Sequence, residues 1–323
     1  MPSKDLEIKY YDGIAARDIK WLWYPYIAYG KVTMIQGDPG DGKTTFVMNV
    51  ASHLTKGLPL PNGEQTQEPV TVLFQNDEDG KEDTIKPKLE SMGADCSRVA
   101  YLEYFKKAIT FDDDRIEEAI INTGAKMTVF DPIQAFLGKI DMNRANDVRP
   151  LMKRLAVIAE KTGCAIILVG HMNKSSGGKG IYRSLGSIDF PAAARSSLLV
   201  GKVGDNENIR AIAHIKTNLG KLGKPIALER TESGAFRWID DYEINAAELL
   251  GDAEPADDGK IGAAIKLLIE MLQDGQRLAV ELMEECNRAG ISARTVHSAK
   301  TILSIKSVKS QGKWYWAAAD SEV

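Results

Sequence analysis

The sequence predicts an α/β fold with a mostly parallel central sheet, and three observations carry the prediction. Residues 37–44 read Gly-Asp-Pro-Gly-Asp-Gly-Lys-Thr, the G-x-x-x-x-G-K-[ST] phosphate loop, with a short apolar run before it and a helical pattern after it. From residue 31 to about residue 240, short apolar runs alternate with helical stretches, which implies parallel strands covered on both faces. Beyond an acidic, Gly- and Pro-containing stretch at 251–259 a second, smaller unit begins.

Each element follows from local pattern. Residues 1–30 form an aromatic-rich lead-in containing Trp21-Leu22-Trp23-Tyr24-Pro25-Tyr26. Lys31–Gln36 reads as a buried strand, and Thr45–Leu54 has helical spacing. Val70–Gln75, Met127–Asp131, Ala165–Gly170, Ser197–Val203 and Arg210–Lys216 read as further strands. Lys81–Met92 reads as a helix that Pro87 bends or shortens. Arg115–Thr123 is helical, and Val148–Thr162 is an amphipathic helix with Leu151, Leu155 and Ile158 on one side. Gln65–Glu68 and Ser175–Gly180 are polar or glycine-rich loops. The resulting division is a lead-in at 1–30, a nucleotide-binding core at 31–245, a linker at 246–259 and a small unit at 260–323.

Composition narrows the class. The chain has 323 residues, 44% hydrophobic and 27% charged, ordinary values for a soluble globular protein. No run approaches the roughly 18 apolar residues of a membrane span, so no membrane association is expected. The first residues carry no apolar segment of a secretory signal. Cys96, Cys164 and Cys286 are odd in number and widely spaced, which points to reduced thiols in a cytoplasmic protein. A net charge of −4 argues against a protein that coats nucleic acid with its whole surface, but leaves room for a local basic patch.

The loop names a ligand class. Gly37, Gly40 and Gly42 permit backbone angles that side chains forbid, so N–H groups turn inward into an anion nest. The following helix adds the positive end of its dipole. The binding segment runs through Gly37, Asp38, Pro39, Gly40, Asp41, Gly42, Lys43, Thr44 and Thr45. Lys43 is expected to reach the β- and γ-phosphates of ATP, and Thr44 to ligate Mg²⁺. Asp41 is an acid beside a polyphosphate, and its side chain is expected to point to solvent.

Three strand ends add chemistry. Asp131 closes an apolar strand, and such an acid holds Mg²⁺ or its water in phosphate-loop enzymes. A second strand ends in Asp77-Glu78-Asp79, and a carboxylate there would polarise the attacking water. Spacing alone leaves all three acids open. His171 follows a third apolar strand, where a polar side chain would sense the γ-phosphate and pass its presence to the loop beyond.

The C-terminal unit has its own pattern. Ile261–Leu272, Leu278–Ala289 and Ala293–Leu303 are helical, with Gly290 stopping the second helix and Ser292 capping the third. Ser307–Ala317 reads as a hairpin turning at Gln311-Gly312, and the whole suggests a winged helix. From Ile291 to Ala319 the charges are Arg294, Lys300, Lys306, Lys309 and Lys313, with no acids, as a DNA phosphate surface requires. Arg294, Thr295, His297 and Lys300 are the recognition-helix candidates, with Lys309 and Lys313 on the hairpin.

The ordered set resembles the RecA-like ATPases, specifically the RepA-type branch of hexameric helicases of plasmids, phages and integrative elements. The matching pieces are Trp21-Leu22-Trp23, the loop at 37–44, Asn76-Asp77-Glu78-Asp79-Gly80 followed by Asp83–Leu89, Phe130-Asp131-Pro132, His171-Met172-Asn173-Lys174, and Gly186–Phe190 through Ala194-Arg195-Ser196. They cover roughly residues 15–240. The resemblance implies that Glu78 is the catalytic acid, that Arg195 is an arginine finger reaching a neighbour's γ-phosphate, and that Lys216 contacts the neighbour's nucleotide. Asn218 stands where related helicases often have arginine. The segment before the core is shorter than in replicative helicases with a primase-binding domain. The implied function is a hexameric, ATP-driven motor with single-stranded DNA through its ring. The alternatives are a RecA- or KaiC-like regulatory or recombination ATPase without unwinding activity, and an ATP-switched DNA-binding regulator.

Overall fold

Aliphatic and aromatic runs bounded by turn residues become strands, as their pattern requires. The computed structural model describes residues 10–62, 68–104, 107–142, 144–171, 189–203, 206–231, 236–239, 258–273, 275–303, 305–310 and 312–317. The loop predicted at 175–180, the motif residues 172–174 and 186–188, and the linker from 246 to 257 lie outside them.

A short antiparallel hairpin, β1 (Trp21–Trp23) and β2 (Ile27–Ala28), leads into β3 (Val32–Gly37) and α1 (Lys43–Lys56). Then follow β4 (Val72–Asn76), α2 (Lys86–Ser91), β5 (Val99–Ala100), α3 (Arg115–Thr123), β6 (Met127–Asp131), α4 (Ala145–Thr162) and β7 (Ala165–His171). Next come the short α5 (Asp189–Ala193), β8 (Ser196–Val203), β9 (Asn206–Thr217), β10 (Ile226–Arg230) and β11 (Phe236–Ile239). The helix expected at 81–92 divides: Lys81–Ile85 is a wider π turn, and α2 begins just before Pro87, where the missing N–H costs nothing.

Nine strands make the central sheet, in the order β11-β10-β9-β8-β3-β7-β6-β4-β5. From β5 to β8 all pairs are parallel, whereas β9, β10 and β11 are antiparallel. The strand predicted at 210–216 is therefore longer than expected and reversed. Only Gly204 and Asp205 separate β8 from β9, too few for the crossover that a parallel pair needs.

Period-two alternation sorts side chains between the faces. Val72, Phe74, Met127, Val129, Ile167 and Val169 pack on one face with Phe46, Val50 and Leu54 of α1. Leu73, Phe130, Ile166 and Leu168 pack on the other with Ile116 of α3 and Leu151, Leu155 and Ile158 of α4. The sheet is thus covered on both faces.

A separate apolar cluster unites α6 (Asp258–Met271), α7 (Ala279–Arg288) and α8 (Ala293–Ile302) through Leu268, Leu282, Val296 and Trp316. β12 (Arg277–Leu278), β14 (Lys313–Ala317) and β13 (Lys306–Ser310) form its three-stranded antiparallel sheet. The Ser292 hydroxyl accepts from the Thr295 N–H, which is the predicted cap of α8.

Candidate functional site

The phosphate loop joins the end of β3 to the start of α1, and two of its glycines are sterically required. A Cβ on Gly37 would lie 2.2 Å from the Val200 carbonyl oxygen of β8. Gly42 has φ +86°, and a Cβ there would meet the Phe236 ring at 2.6 Å. Lys43 curls back over the loop, its ammonium donating to the carbonyls of Gly37 (3.0 Å) and Asp38 (2.8 Å). Burial lowers the Lys43 pKa, and the charges of Asp41, Asp131, Asp38 and Glu78 oppose that shift. Asp38, Pro39 and Gly40 are exposed, whereas Thr44 and Thr45 are half-buried at the first turn of α1.

Asp41 corrects an expectation. It is 8% exposed and does not point to solvent. Its carboxylate accepts the Asp38 N–H at 2.9 Å, closing a small turn inside the loop. Burial raises its pKa, and that hydrogen bond and the charges of Lys43 and Arg210 act against the rise.

Three strand ends share the α1 face. Asn76, Asp131 and His171 continue the alternation of Phe74, Val129 and Val169, so all three side chains leave the sheet on the side of the loop. β7 lies between β3 and β6, which seats His171 beside Gly37 and sets Asp131 one strand further out. Asp131 is 3% exposed, and burial pushes its pKa up to about 6, with the Glu78 charge adding and hydrogen bonds from Thr44 and Asn76 opposing. Among the described residues, none hydrogen-bonds Asp131 Oδ2. An orphaned carboxylate oxygen beside a threonine hydroxyl is a hard oxygen pair that suits Mg²⁺. Burial and the Lys43 charge lower the His171 pKa, which favours a neutral imidazole.

The geometry separates the three acids that spacing leaves open. Asp77 accepts the Tyr104 hydroxyl, and Asp79 pairs with Lys88 at 3.6 Å. Glu78 is exposed, and its charge is felt by Lys43, Asp131 and His171 together. Asn76, a residue the motif reading passes over, organises this turn. Its Oδ1 accepts the N–H groups of Glu78 (3.0 Å) and Asp79 (2.7 Å), while its side chain also hydrogen-bonds Asp131. An asparagine at a strand end before a run of acids is the signal for such a turn.

Arg195 and Lys216 lie elsewhere. The start of β8 stands beside Thr33, roughly 13 Å down the sheet from Gly37 at about 3.3 Å per residue. Arg195 is exposed there, its N–H bonded to the Val32 carbonyl at 3.0 Å. Lys216 donates to the carbonyls of Pro191 (2.7 Å), Ala192 (2.6 Å) and Ala194 (2.8 Å), so its ammonium closes the end of α5.

The recognition-helix candidates need a second correction. Arg294 sits in the first turn of α8, but Thr295 is 2% exposed and cannot reach a base. His297 packs against Trp316 with ring centres 5.8 Å apart, and burial lowers its pKa to about 4. Lys300 lies over the same ring at 4.3 Å and donates to the Ser307 hydroxyl at 2.6 Å. The hairpin covers the face of α8 that carries these residues. Lys306, Lys309 and Lys313 remain exposed on β13 and β14, with Lys309 over Trp314 at 5.7 Å.

The chain is similar to several known proteins. DNA repair protein RadA of Streptococcus pneumoniae is 22% identical over 243 residues, spanning 75% of this chain and 50% of RadA. RadA of Streptococcus pyogenes serotype M3 is 23% identical over 244 residues, spanning 75% and 47%. The chain thus spans about half the length of the curated relatives it matches. A DnaB-like replicative helicase, described with its interactions with primase, aligns with TM-score 0.49 and 14% identity over 65% of this chain and 57% of that one. The ATPase domain of G40P aligns with TM-score 0.48 and 15% identity over 64% and 84%. The AAA domain family matches residues 4–177, more than half of the sequence, and the chain belongs to that family.

Proposed function

We propose that the chain is an ATP-hydrolysing motor acting on DNA, a RepA-like replicative helicase of a plasmid, phage or integrative element, working as a hexameric ring. The observation that carries the reading is the gathering of Lys43, Thr44, Asn76, Glu78, Asp131 and His171 around one phosphate loop. Lys43 exchanges its two backbone carbonyls for phosphate oxygens of ATP. Thr44 and Asp131 would hold Mg²⁺, which when bound would offset charge on the transferring phosphoryl group. Glu78 orients the attacking water and takes its proton, and neutral His171 offers a ring N–H toward the γ-phosphate.

Arg195 supports a shared site. It stands at the far end of the sheet from its own loop, so a role in phosphoryl transfer requires a second copy. The guanidinium would then neutralise charge on the neighbour's γ-phosphate, with Lys216 beside it once released from α5.

The DNA assignment rests on two supports. The RadA relatives are named for DNA repair. The three helices and antiparallel hairpin after 258 fit a winged helix whose exposed Lys306, Lys309 and Lys313 form a phosphate-binding edge. The RadA likeness also favours a second reading, a recombination-type ATPase that remodels DNA without unwinding it; strand separation on a forked duplex discriminates the two. An ATP-switched regulator would instead show slow hydrolysis with sequence-specific duplex binding.

The test is ATPase rate with and without single-stranded DNA, for wild type, for Arg195→Ala, and for Arg195→Ala mixed with Lys43→Ala. The rate is expected to rise with DNA and with protein concentration, and the mixture to regain activity that neither variant has alone. A mixture that assembles and stays inactive would remove the shared site.

A further inference from the structure

The antiparallel end of the sheet braces the phosphate loop, and we propose that Arg210 on β9 is the positioning residue that lets an acidic loop hold an anionic ligand. The proposal rests on the nucleotide-binding reading of that loop. Asp41 places a carboxylate inside a cradle built for polyphosphate, an arrangement that costs binding unless the charge is offset.

Arg210 supplies the offset from outside the motif. Its side chain is 4% exposed, and its Nε–H donates to the Asp41 carbonyl oxygen at 3.1 Å. A second guanidinium N–H donates to the Ile209 carbonyl at 3.1 Å. Asp41 in turn accepts the Asp38 N–H, and the Asp38 carbonyl accepts the Lys43 ammonium. Arg210, Asp41, Asp38 and Lys43 therefore form one chain of contacts from β9 through the loop to α1. Phe236 of β11 closes the same side, its ring filling the space over Gly42.

Two consequences follow. The peptide unit is planar and trans, so its C=O and N–H point in opposite directions. Drawing the Asp41 carbonyl toward Arg210 turns the Gly42 N–H away from β9, into the concave side where a phosphate binds. The guanidinium charge also acts against the Asp41 carboxylate, alongside the Asp38 hydrogen bond and the Lys43 charge. Both effects act on ligand binding before hydrolysis begins, so Arg210 governs KM more than kcat.

The experiment measures binding of a fluorescent ATP analogue and steady-state ATPase for the full chain carrying Arg210→Met, Arg210→Lys, Asp41→Asn, and Arg210→Met with Asp41→Asn. Thermal unfolding without nucleotide reports folding. Arg210→Met is expected to weaken binding by roughly 10- to 100-fold, the range for a lost charged hydrogen bond, with kcat little changed. Arg210→Lys keeps the charge and falls between wild type and Arg210→Met. Asp41→Asn keeps the acceptor for the Asp38 N–H, removes the charge, and tightens binding by roughly two- to fivefold, the range for a partly screened charge. In the Arg210→Met background Asp41→Asn recovers part of the loss. Folded Arg210→Met that binds like wild type would overturn the proposal. Should Arg210→Met not fold, Asp41→Asn decides alone: tighter binding supports the proposal, and equal or weaker binding overturns it. Wild type that binds no analogue would instead defeat the nucleotide reading itself.

Discussion

The strand-end site and the basic C-terminal unit both carry clustered polar residues, yet they behave differently in the fold. Asp131 and His171 arrive beside the phosphate loop, as their positions after apolar strands predict. In the C-terminal unit, Thr295 is buried, His297 and Lys300 are half-buried against Trp316, and the exposed Lys306, Lys309 and Lys313 belong to the hairpin. The difference lies in how each element chooses its faces. A strand in a parallel sheet has two faces that alternate strictly, so its last residue inherits its side from the residues before it. A short helix has a whole circumference, and the face left open depends on what packs against it. On α8 the indole of Trp316 takes the side that His297 and Lys300 occupy.

The sharpest way to break the comparison is at Asn76, the residue that ties the Glu78 turn to Asp131. Asn76→Ala should lower kcat by roughly 10- to 100-fold while nucleotide affinity moves severalfold at most, since it removes buried hydrogen bonds that hold reacting groups rather than ligand. Steady-state kinetics beside analogue binding checks this. An unchanged kcat would mean that the turn holds its shape without the side chain.

A smaller effect is expected from pH. The Asp131 pKa is pushed up to about 6, so below that pH a proton would compete with Mg²⁺ at the proposed site. Mg²⁺-dependent nucleotide binding should weaken toward roughly tenfold per pH unit below about 6. In the metal-free protein the sign for folding is opposite to that of an ion-paired acid. Between the ordinary value of 3.8 and about 6 the folded chain holds a proton that the unfolded chain has released, so stability falls as pH rises through that window. Titration calorimetry at several pH values and denaturant unfolding measure the two arms.

The smallest effects sharpen the C-terminal side of the comparison. Lys309→Ala and Lys313→Ala should each weaken DNA binding severalfold and lower its salt slope by about one. Lys300→Met should leave that slope alone, because the Lys300 ammonium is held by the Ser307 hydroxyl and the Trp316 ring. A loss of salt dependence in Lys300→Met would return α8 to the DNA face.

Much of the molecule was legible before folding was considered. The strand at 127–131 and the helix at 115–123 form as predicted, because hydrophobic period and a glycine after each helix mark their limits. The reversed β9 was not legible as such, since a strand's sequence does not state the direction of its partner. β10 and β11 are only five and four residues long, too short to show a period. The loop sequence alone points the Asp41 side chain to solvent, because it does not show the backbone N–H that the carboxylate finds inside the turn.

The residues by themselves determined the ligand class, the alternation of strands and helices from 31 to 216, and the strand ends that carry Asp131 and His171. These depend on contacts within a few positions of the chain, where period and turn chemistry are decisive. Only the tertiary structure decided that Glu78 stands with Lys43, Asp131 and His171 while Asp77 and Asp79 turn elsewhere, that Arg210 reaches the phosphate loop from 169 residues away, and that Trp316 packs against His297 and Lys300. Each of those contacts joins distant parts of the chain, and burial and hydrogen bonding, not spacing, select among side chains of the same kind.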